Sequence, residues 1–202
     1  PAESYLKSKE LTVKESDLYL IVEGSDFSIY FDRSSGKLSE YFYRGKSLIK
    51  KGPELNFWRA PIDNDNKDLI YNYTTVWREE GIDKLSQRLD ELKVVESRAS
   101  YVLLKSRYTI APAAKDMLIK AELEYKIYDD GEVELKTVGE FADQKKHSLP
   151  RIGLELELSQ DLKNVKWFGR GPGESYPDSK RATLIDLFNK EVGEMHTPYV
   201  YP

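Results

Sequence analysis

An acidic and amide-rich segment near residue 60 contains the residue types best suited to chemistry in this chain. The segment "RAPIDNDN", from Arg59 to Asn66, combines a guanidinium with carboxylates and carboxamides, and oxygen ligands of this kind suit hard cations. An EF-hand is excluded because, counting from Asp63, the sixth position is Asp68 instead of glycine and the twelfth is Thr74 instead of glutamate. A weak cation site and a loop whose Asp and Asn side chains cap their own backbone both stay open, and we favour the loop.

A second segment, "WFGRGPGESYPDSKRA" from Trp167 to Ala182, is rich in glycine and proline. It differs from a dinucleotide-binding loop because Glu174 replaces the last glycine of G-x-G-x-x-G, Pro172 removes an amide, and no long helix follows. We predict neither an ordinary strand nor a helix here, but an ordered corner at the rim of a β-sandwich; contact with sugar or with a neighbouring domain is the alternative. The residues assigned to this corner are Gly169, Gly171, Pro172, Glu174, Tyr176 and Asp178.

Other catalytic chemistries find little support in the residue types. Glycoside hydrolysis needs two carboxylates at a fixed separation, but the 35 acidic residues allow many pairs and select none. His147 and His196 could act as acid and base, as in a sugar epimerase, although neither lies in a motif and lone histidines are more often structural. The absence of cysteine excludes disulfides and thiolate zinc sites.

Composition and charge limit the classes of molecule that this chain is expected to bind. With 202 residues and 40% hydrophobic content, the chain can bury a core, and we predict one β-sandwich domain over residues 1–202. A net charge of −4 spread along the chain argues against nucleic acid, and no apolar run is long enough to span a bilayer. We therefore expect a soluble protein and leave its compartment open between cytoplasm and periplasm.

The elements that must position these residues are mostly strands. Apolar and polar residues alternate in "LYLIVEG", "FSIYF", "ASYVLLKSRYTI", "MLIKAELEYKIY" and "GEVELKTVGEF", a pattern typical of antiparallel sheets with one solvated face. Asp130-Gly131 stands where a hairpin needs positive φ. In "RIGLELELS", the alternation predicts that Leu154, Leu156 and Leu158 face a core while the intervening glutamates face water.

One short helix interrupts the strands. Apolar residues at helical spacing predict a helix over roughly Thr74 to Glu80, with Gly81 placed for a left-handed cap. The fold class is therefore all-β, an antiparallel sandwich with one short helix.

Two segments also carry a family resemblance. The stretches "NFWRAPIDNDN" and "WFGRGPGESYPDSKRA", the latter followed by "MHTPYVYP", resemble the hallmark stretches of the small C-terminal domain of glycoside hydrolase family 2 β-galactosidases. The likeness covers essentially the whole chain in the same order, which makes it more specific than any single motif.

The resemblance implies a supersandwich similar to galactose mutarotase that has no catalytic residues of its own. Such a domain packs on the catalytic (β/α)-barrel of the same parent chain and helps to shape the galactose pocket. The parent enzyme hydrolyses terminal β-D-galactosides such as lactose, and its Mg and monovalent cation sites lie in the barrel, so we expect no cofactor in this chain. We expect the fragment alone to be inactive; a stand-alone aldose epimerase and a carbohydrate-binding module are the alternatives.

The resemblance also implies particular positions for the first segment and for the chain end. The loop at about Asn66 to Thr75 borders the active-site entrance, and we expect Asn66 to Tyr73 to be less ordered than the strands. The candidates for facing the pocket or barrel are Arg59, Asp63, Asn64, Asp65, Asn66, Tyr71 and Tyr73. Because the family's domain continues past the position of Pro202, we expect an incomplete sandwich that lacks the aromatic sugar platform and self-associates through unpaired edges.

Overall fold

The computed structural model describes residues 10–66, 72–115, 117–142, 148–176 and 179–196. The chain divides into two compact units, residues 1–157 and 158–202. The predicted all-β antiparallel fold is confirmed: the described residues form thirteen strands and one α-helix. The strands are β1 (Thr12–Glu15), β2 (Tyr19–Glu23), β3 (Phe27–Asp32), β4 (Leu38–Tyr43), β5 (Lys46–Ser47), β6 (Ile49–Asn56), β7 (Leu85–Ser97), β8 (Tyr101–Pro112), β9 (Ile119–Tyr128), β10 (Val133–Phe141), β11 (Gly153–Leu158), β12 (Asn164–Gly171) and β13 (Leu184–Glu191).

Three sheets build the first unit. A five-stranded sheet follows the order β1-β2-β3-β4-β5, a four-stranded sheet the order β10-β9-β8-β7, and β11 pairs with β6. Consecutive strands pair antiparallel within the two larger sheets, because short turns connect them. The turn between β9 and β10 contains Gly131 at φ +92°, as its Asp-Gly sequence predicted.

The core lies between the five-stranded and four-stranded sheets. The rings of Phe31 and Tyr125 meet edge to face with centroids 5.0 Å apart. The buried Ser106 Oγ donates a hydrogen bond of 2.7 Å to the carbonyl of Gly36, and the Tyr41 hydroxyl donates to the carbonyl of Gly131. Alternate residues of β2, β3, β8 and β9 fill the space between these sheets. This arrangement is a β-sandwich.

The helix agrees with its prediction to within one residue at each end. Helix α1 spans Tyr73–Glu79, and the Asn72 side chain caps its start by accepting a 2.9 Å hydrogen bond from the amide of Thr75. Gly81 follows at φ +79°, the left-handed conformation that ends the helix. Among the described residues, no helix is long and apolar enough to cross a bilayer.

The prediction for β11 was wrong. Leu154, Leu156 and Leu158 are 38%, 47% and 51% exposed instead of facing a core. Within the part of the chain that the structure describes, their strand pairs with β6 alone in a two-stranded sheet. The alternation does separate the leucines from the glutamates, but among the described residues no second layer of side chains buries the leucine face.

The second unit contains an antiparallel pair of strands and two 3₁₀ turns. β12 pairs with β13 over its full length, and Trp167 opposes Phe188 with ring centroids 5.3 Å apart. The first residues of the glycine-rich segment, through Gly171, thus belong to a strand, contrary to the prediction. A Cβ at Gly171 would come within 2.7 Å of the Phe188 ring, which explains why glycine occupies this position.

After β12 the segment becomes irregular, as predicted. The Gly171–Pro172 peptide bond is cis, and residues 172–176 form bends and coil before the 3₁₀ turn Lys180–Ala182. Glu174 and Tyr176 are exposed, and the Tyr176 carbonyl accepts a 2.8 Å hydrogen bond from the amide of Lys180. Asp178 lies outside the described residues.

Candidate functional site

The candidate site in the first unit centres on an ion pair between Arg59 and Asp65. The two guanidinium nitrogens donate to the two carboxylate oxygens, with Nη1 to Oδ2 at 2.6 Å and Nη2 to Oδ1 at 3.0 Å. Such a bidentate geometry is the strongest form of this interaction. Asp65 is only 7% exposed, so its charge depends on this partner.

Backbone hydrogen bonds fix both partners. The Asp65 carboxylate also accepts a 2.8 Å hydrogen bond from the amide of Ile62, and the Asp65 amide donates 2.9 Å to the Ile62 carbonyl. These contacts close the 3₁₀ turn Asp63–Asn66. Arg59 Nε donates a 3.0 Å hydrogen bond to the carbonyl of Pro150, which is 91 residues away in sequence. The acidic turn is therefore attached to a distant part of the same unit.

A cluster of aromatic residues lies beside the guanidinium and contacts it through Trp77. The Arg59 Cζ atom lies 5.5 Å from the centroid of the Trp77 ring, within the range of a cation–π contact. Trp77 also stacks on Tyr73 at 5.9 Å and meets Trp58 edge to face at 6.4 Å. Its indole nitrogen donates a 2.9 Å hydrogen bond to Ser148 Oγ. Helix α1 thus presents Trp77 to the loop that carries Arg59, with Tyr73 stacked on the same ring.

The electrostatics suit a structural role for Asp65. The hydrogen bonds from Arg59 lower the pKa of Asp65, burial opposes this shift, and the Ile62 amide adds to it. The carboxylate consequently stays ionised at neutral pH. It cannot serve as a general acid there, but it can hold the turn in one conformation.

The structure brings together some of the predicted site residues and leaves others exposed. Arg59, Asp65 and Tyr73 belong to one cluster, joined through Trp77. By contrast, Asp63, Asn64 and Asn66 are exposed. Tyr71 lies outside the described residues, as does most of the segment that we expected to be less ordered.

Sequence reasoning missed the tryptophans of this cluster. Trp77 falls within the predicted helix but is not among the predicted site residues, and neither is Trp58. A signal was present, since the chain has three tryptophans and two of them lie near the acidic segment. Among the described residues, no group of three or more His, Cys, Asp or Glu side chains is placed to hold a metal ion.

The fold is an all-β domain, an antiparallel β-sandwich. It contains the turn Asp63–Asn66, which the ion pair with Arg59 holds in place and which we call the clamped acidic turn. Sequence comparisons identify the family of this domain. Residues 23–202 match the family described as "Beta galactosidase small chain". The chain belongs to this family. The resemblance noted from the two segments is thereby confirmed.

Curated relatives with the name "Beta-galactosidase" are similar to nearly the whole chain. The protein from Psychromonas ingrahamii is 37% identical over 185 residues, covering 89% of this chain. Those from Priestia megaterium and Vibrio cholerae are 27% and 31% identical and cover 95% and 90% of it. The chain spans 18% of the length of each of these relatives.

Proposed function

We propose that this chain is a non-catalytic, carbohydrate-associated domain of a β-galactosidase. In this proposal the domain packs on the catalytic barrel of the same polypeptide and helps to shape the galactose pocket of an enzyme that hydrolyses terminal β-D-galactosides such as lactose. Family membership supports this role, as does the small share of the relatives' length that the chain spans. The interpretation of residues 1–202 as one sandwich domain stays a prediction.

The clamped acidic turn is the observation that carries the proposal. A bidentate ion pair, a backbone anchor at Pro150 and a tryptophan hold the turn Asp63–Asn66 in one conformation, while three of its polar side chains face solvent. A backbone held in one conformation that presents unburied polar side chains suits contact with another surface, because little backbone entropy is lost when they bind. We propose that Asp63, Asn64 and Asn66 contact the barrel or the edge of its galactose pocket.

A chimera tests this proposal. The segment of the Psychromonas ingrahamii relative that corresponds to this chain is replaced by residues 1–202, and a second protein lacks the segment altogether. We expect o-nitrophenyl β-galactoside to be hydrolysed by the chimera but neither by the deleted protein nor by the isolated chain. Turnover by the isolated chain, or full activity of the deleted protein, would refute the proposal.

The contact role of the exposed side chains is tested in the same chimera. Ala substitution of both Asp63 and Asn64 is expected to raise KM or lower kcat. The paired Ala substitution of Ser34 and Ser35, in a turn of the five-stranded sheet, serves as the control.

Mutarotation of galactose is measured on the isolated chain to test the epimerase alternative. For that alternative, His196 is exposed and His147 lies outside the described residues.

A further inference from the structure

An apolar groove lies between the β6–β11 pair and the strands β9 and β10 of the four-stranded sheet. Leu55 and Leu154 are among the residues that line it on one side, and Ile119 and Gly139 are among those on the other. We call this feature the edge groove. Its volume is about 360 Å³, within the range of roughly 300–1,000 Å³ that is usual for pockets of drug-sized ligands. The edge groove is therefore large enough to receive several side chains.

The lining of the edge groove favours an apolar occupant. In the part of the chain that the structure describes, Thr137 and Glu140 are its only lining residues with polar side chains, and the Thr137 hydroxyl is itself buried. A saccharide needs several polar groups that converge on it, so a sugar is not favoured here. Ile152 lines the groove and is 75% exposed, and covering such a side chain with hydrocarbon is favourable.

The edge groove reaches the free edge of β10. Gly139 and Glu140 both line it, although they are consecutive in the strand. Gly139 pairs with the buried Ala121 and Glu140 with the exposed Lys120, so the two residues belong to opposite faces of the sheet. A groove that touches both faces of a strand passes along its edge. The occupant therefore meets the backbone of β10 as well as its side chains.

The two edges of the four-stranded sheet differ in how they are protected. At one edge, β7 has register shifts between Leu89 and Glu91 and between Val94 and Glu96, and such bulges hinder the addition of another strand. At the other edge, β10 pairs with β9 in an unbroken register, contains no proline, and has no charged residue on its core-facing side. Every second residue of such an edge strand directs its peptide N–H and C=O away from the sheet. The edge of β10 is thus suited to pairing.

The exposed leucines of β11 support the same occupant. Leu154 lines the edge groove, and Leu156 and Leu158 continue its face of the strand at 47% and 51% exposure. A strand beside β10 would bring alternate apolar side chains to this face while its backbone pairs with the edge.

We propose that the edge groove receives one β-strand from another segment of the longer β-galactosidase polypeptide, paired with β10 and covering the start of β11. The inference rests on the proposed function for the source of the strand. The chain spans 18% of the length of each relative named above, so a large part of such a polypeptide is available to supply it. A segment of the same polypeptide also binds at a high effective concentration, which a separate protein does not.

Hydrogen exchange measured by mass spectrometry tests the pairing. The exchange of residues 133–141 is compared between the chimera described above and the isolated chain, both at low micromolar concentration. We expect β10 to exchange at least about tenfold more slowly in the chimera, because its free amides gain acceptors. The matched control is β7, the other edge of the same sheet, whose exchange should differ little between the two proteins. Equal slowing of β7 and β10, or no slowing of β10, would overturn the inference.

Two substitutions test the position of the strand. In the chimera, Ile152→Asp places a charge in the edge groove and should remove most of the protection of β10. Leu18→Asp is the matched control, because Leu18 is a similarly exposed aliphatic residue, at 68%, in the turn between β1 and β2, and it should leave β10 protected. In the isolated chain both substitutions should leave the exchange of β10 unchanged. Protection of β10 that survives Ile152→Asp would refute the strand's place in the edge groove.

The remaining outcomes separate this inference from the proposed function. Hydrolysis by the chimera reports the proposed function, whereas exchange of β10 reports the strand. A folded but inactive chimera with a protected β10 would support the strand and count against the proposed function, and an active chimera with an unprotected β10 would refute the strand alone. Equally slow exchange of β10 in the isolated chain would assign the edge groove to a second copy of this chain and overturn the inference.

Discussion

The ion pair between Arg59 and Asp65 predicts a large stability difference between two neighbouring aspartates. Asp65→Asn keeps the shape of the side chain but removes the charge that the Arg59 guanidinium contacts at 2.6 and 3.0 Å. The side chains of Asp65 and Arg59 are 9% and 30% exposed, so solvent screens this pair only in part. Hydrogen bonds to charged groups contribute about 1.5–3 kcal/mol each in net terms, and breaking a fully buried pair costs about 3–5 kcal/mol.

Because Arg59 keeps part of its hydration, we expect Asp65→Asn to lower the free energy of unfolding by about 2 kcal/mol. For a domain of this size that corresponds to a fall in the melting temperature of roughly 4–8 °C. Urea titrations followed by tryptophan fluorescence measure it, since Trp77 lies beside the pair. The control Asp63→Asn changes an exposed carboxylate in the same turn and should alter stability by less than about 0.5 kcal/mol.

The pH dependence of the stability difference between the wild type and Asp65→Asn tests whether the ion pair with Arg59 causes it. The pKa of Asp65 is lowered in the folded state, chiefly by hydrogen bonds from Arg59. As pH falls, Asp65 therefore takes up a proton in the unfolded protein before it does so in the folded protein. The contribution of Asp65 to the free energy of unfolding is fully present above the unfolded pKa of about 3.9. This contribution is lost as pH falls through the lower pKa of the folded state. The wild-type advantage over Asp65→Asn should be constant from about pH 7 to 5 and shrink below about pH 4. Equal losses for both aspartate variants, or an advantage unchanged at about pH 3, would refute this reasoning.

Three further predictions concern other parts of the chain. Gly171→Ala should destabilise the β12–β13 pair by about 1 kcal/mol, because the added Cβ meets a phenyl ring. Gly173→Ala should leave the pair unaffected, because its Cβ would meet nothing within 4 Å. Hydrogen exchange of the strand amides compares the two variants. Trp77→Phe should lower the free energy of unfolding, measured in urea, by about 1–3 kcal/mol, because it removes the hydrogen bond to the Ser148 hydroxyl and part of a buried ring. A loss no larger than that of a surface substitution would contradict this prediction. The exposed leucines of β11 should cause self-association of the chain, which light scattering across a concentration series detects. The substitution Leu156→Lys places a charge on this face and should reduce the association. A wild-type chain that stays monomeric at high micromolar concentration would disprove this.

The local pattern of the chain was sufficient for several of the thirteen strands, for one hairpin turn and for the helix. Period-two alternation predicts strands because successive side chains point to opposite faces of a sheet, and it located β2, β3, β8, β9 and β10. Glycine at Gly131 and Gly81 indicated positive φ for a steric reason that needs no tertiary context. The same alternation did not reveal β7, because register shifts between Leu89 and Glu91 and between Val94 and Glu96 change the phase of its pattern.

Tertiary structure alone decided which faces are covered and how the candidate site is assembled. Alternation showed that the leucines of β11 share a face, but burial of a face depends on a second layer supplied by distant residues. The Arg59 cluster likewise depends on long-range contacts: the guanidinium reaches Pro150 over 91 residues of sequence, and Trp77 reaches Ser148 over 71. Sequence identified Arg59 and Asp65 as candidates, since their types suit ion pairing and binding. Only folding brought Trp77 beneath the guanidinium, because such contacts are set by the packing of elements and not by the spacing of residues within one.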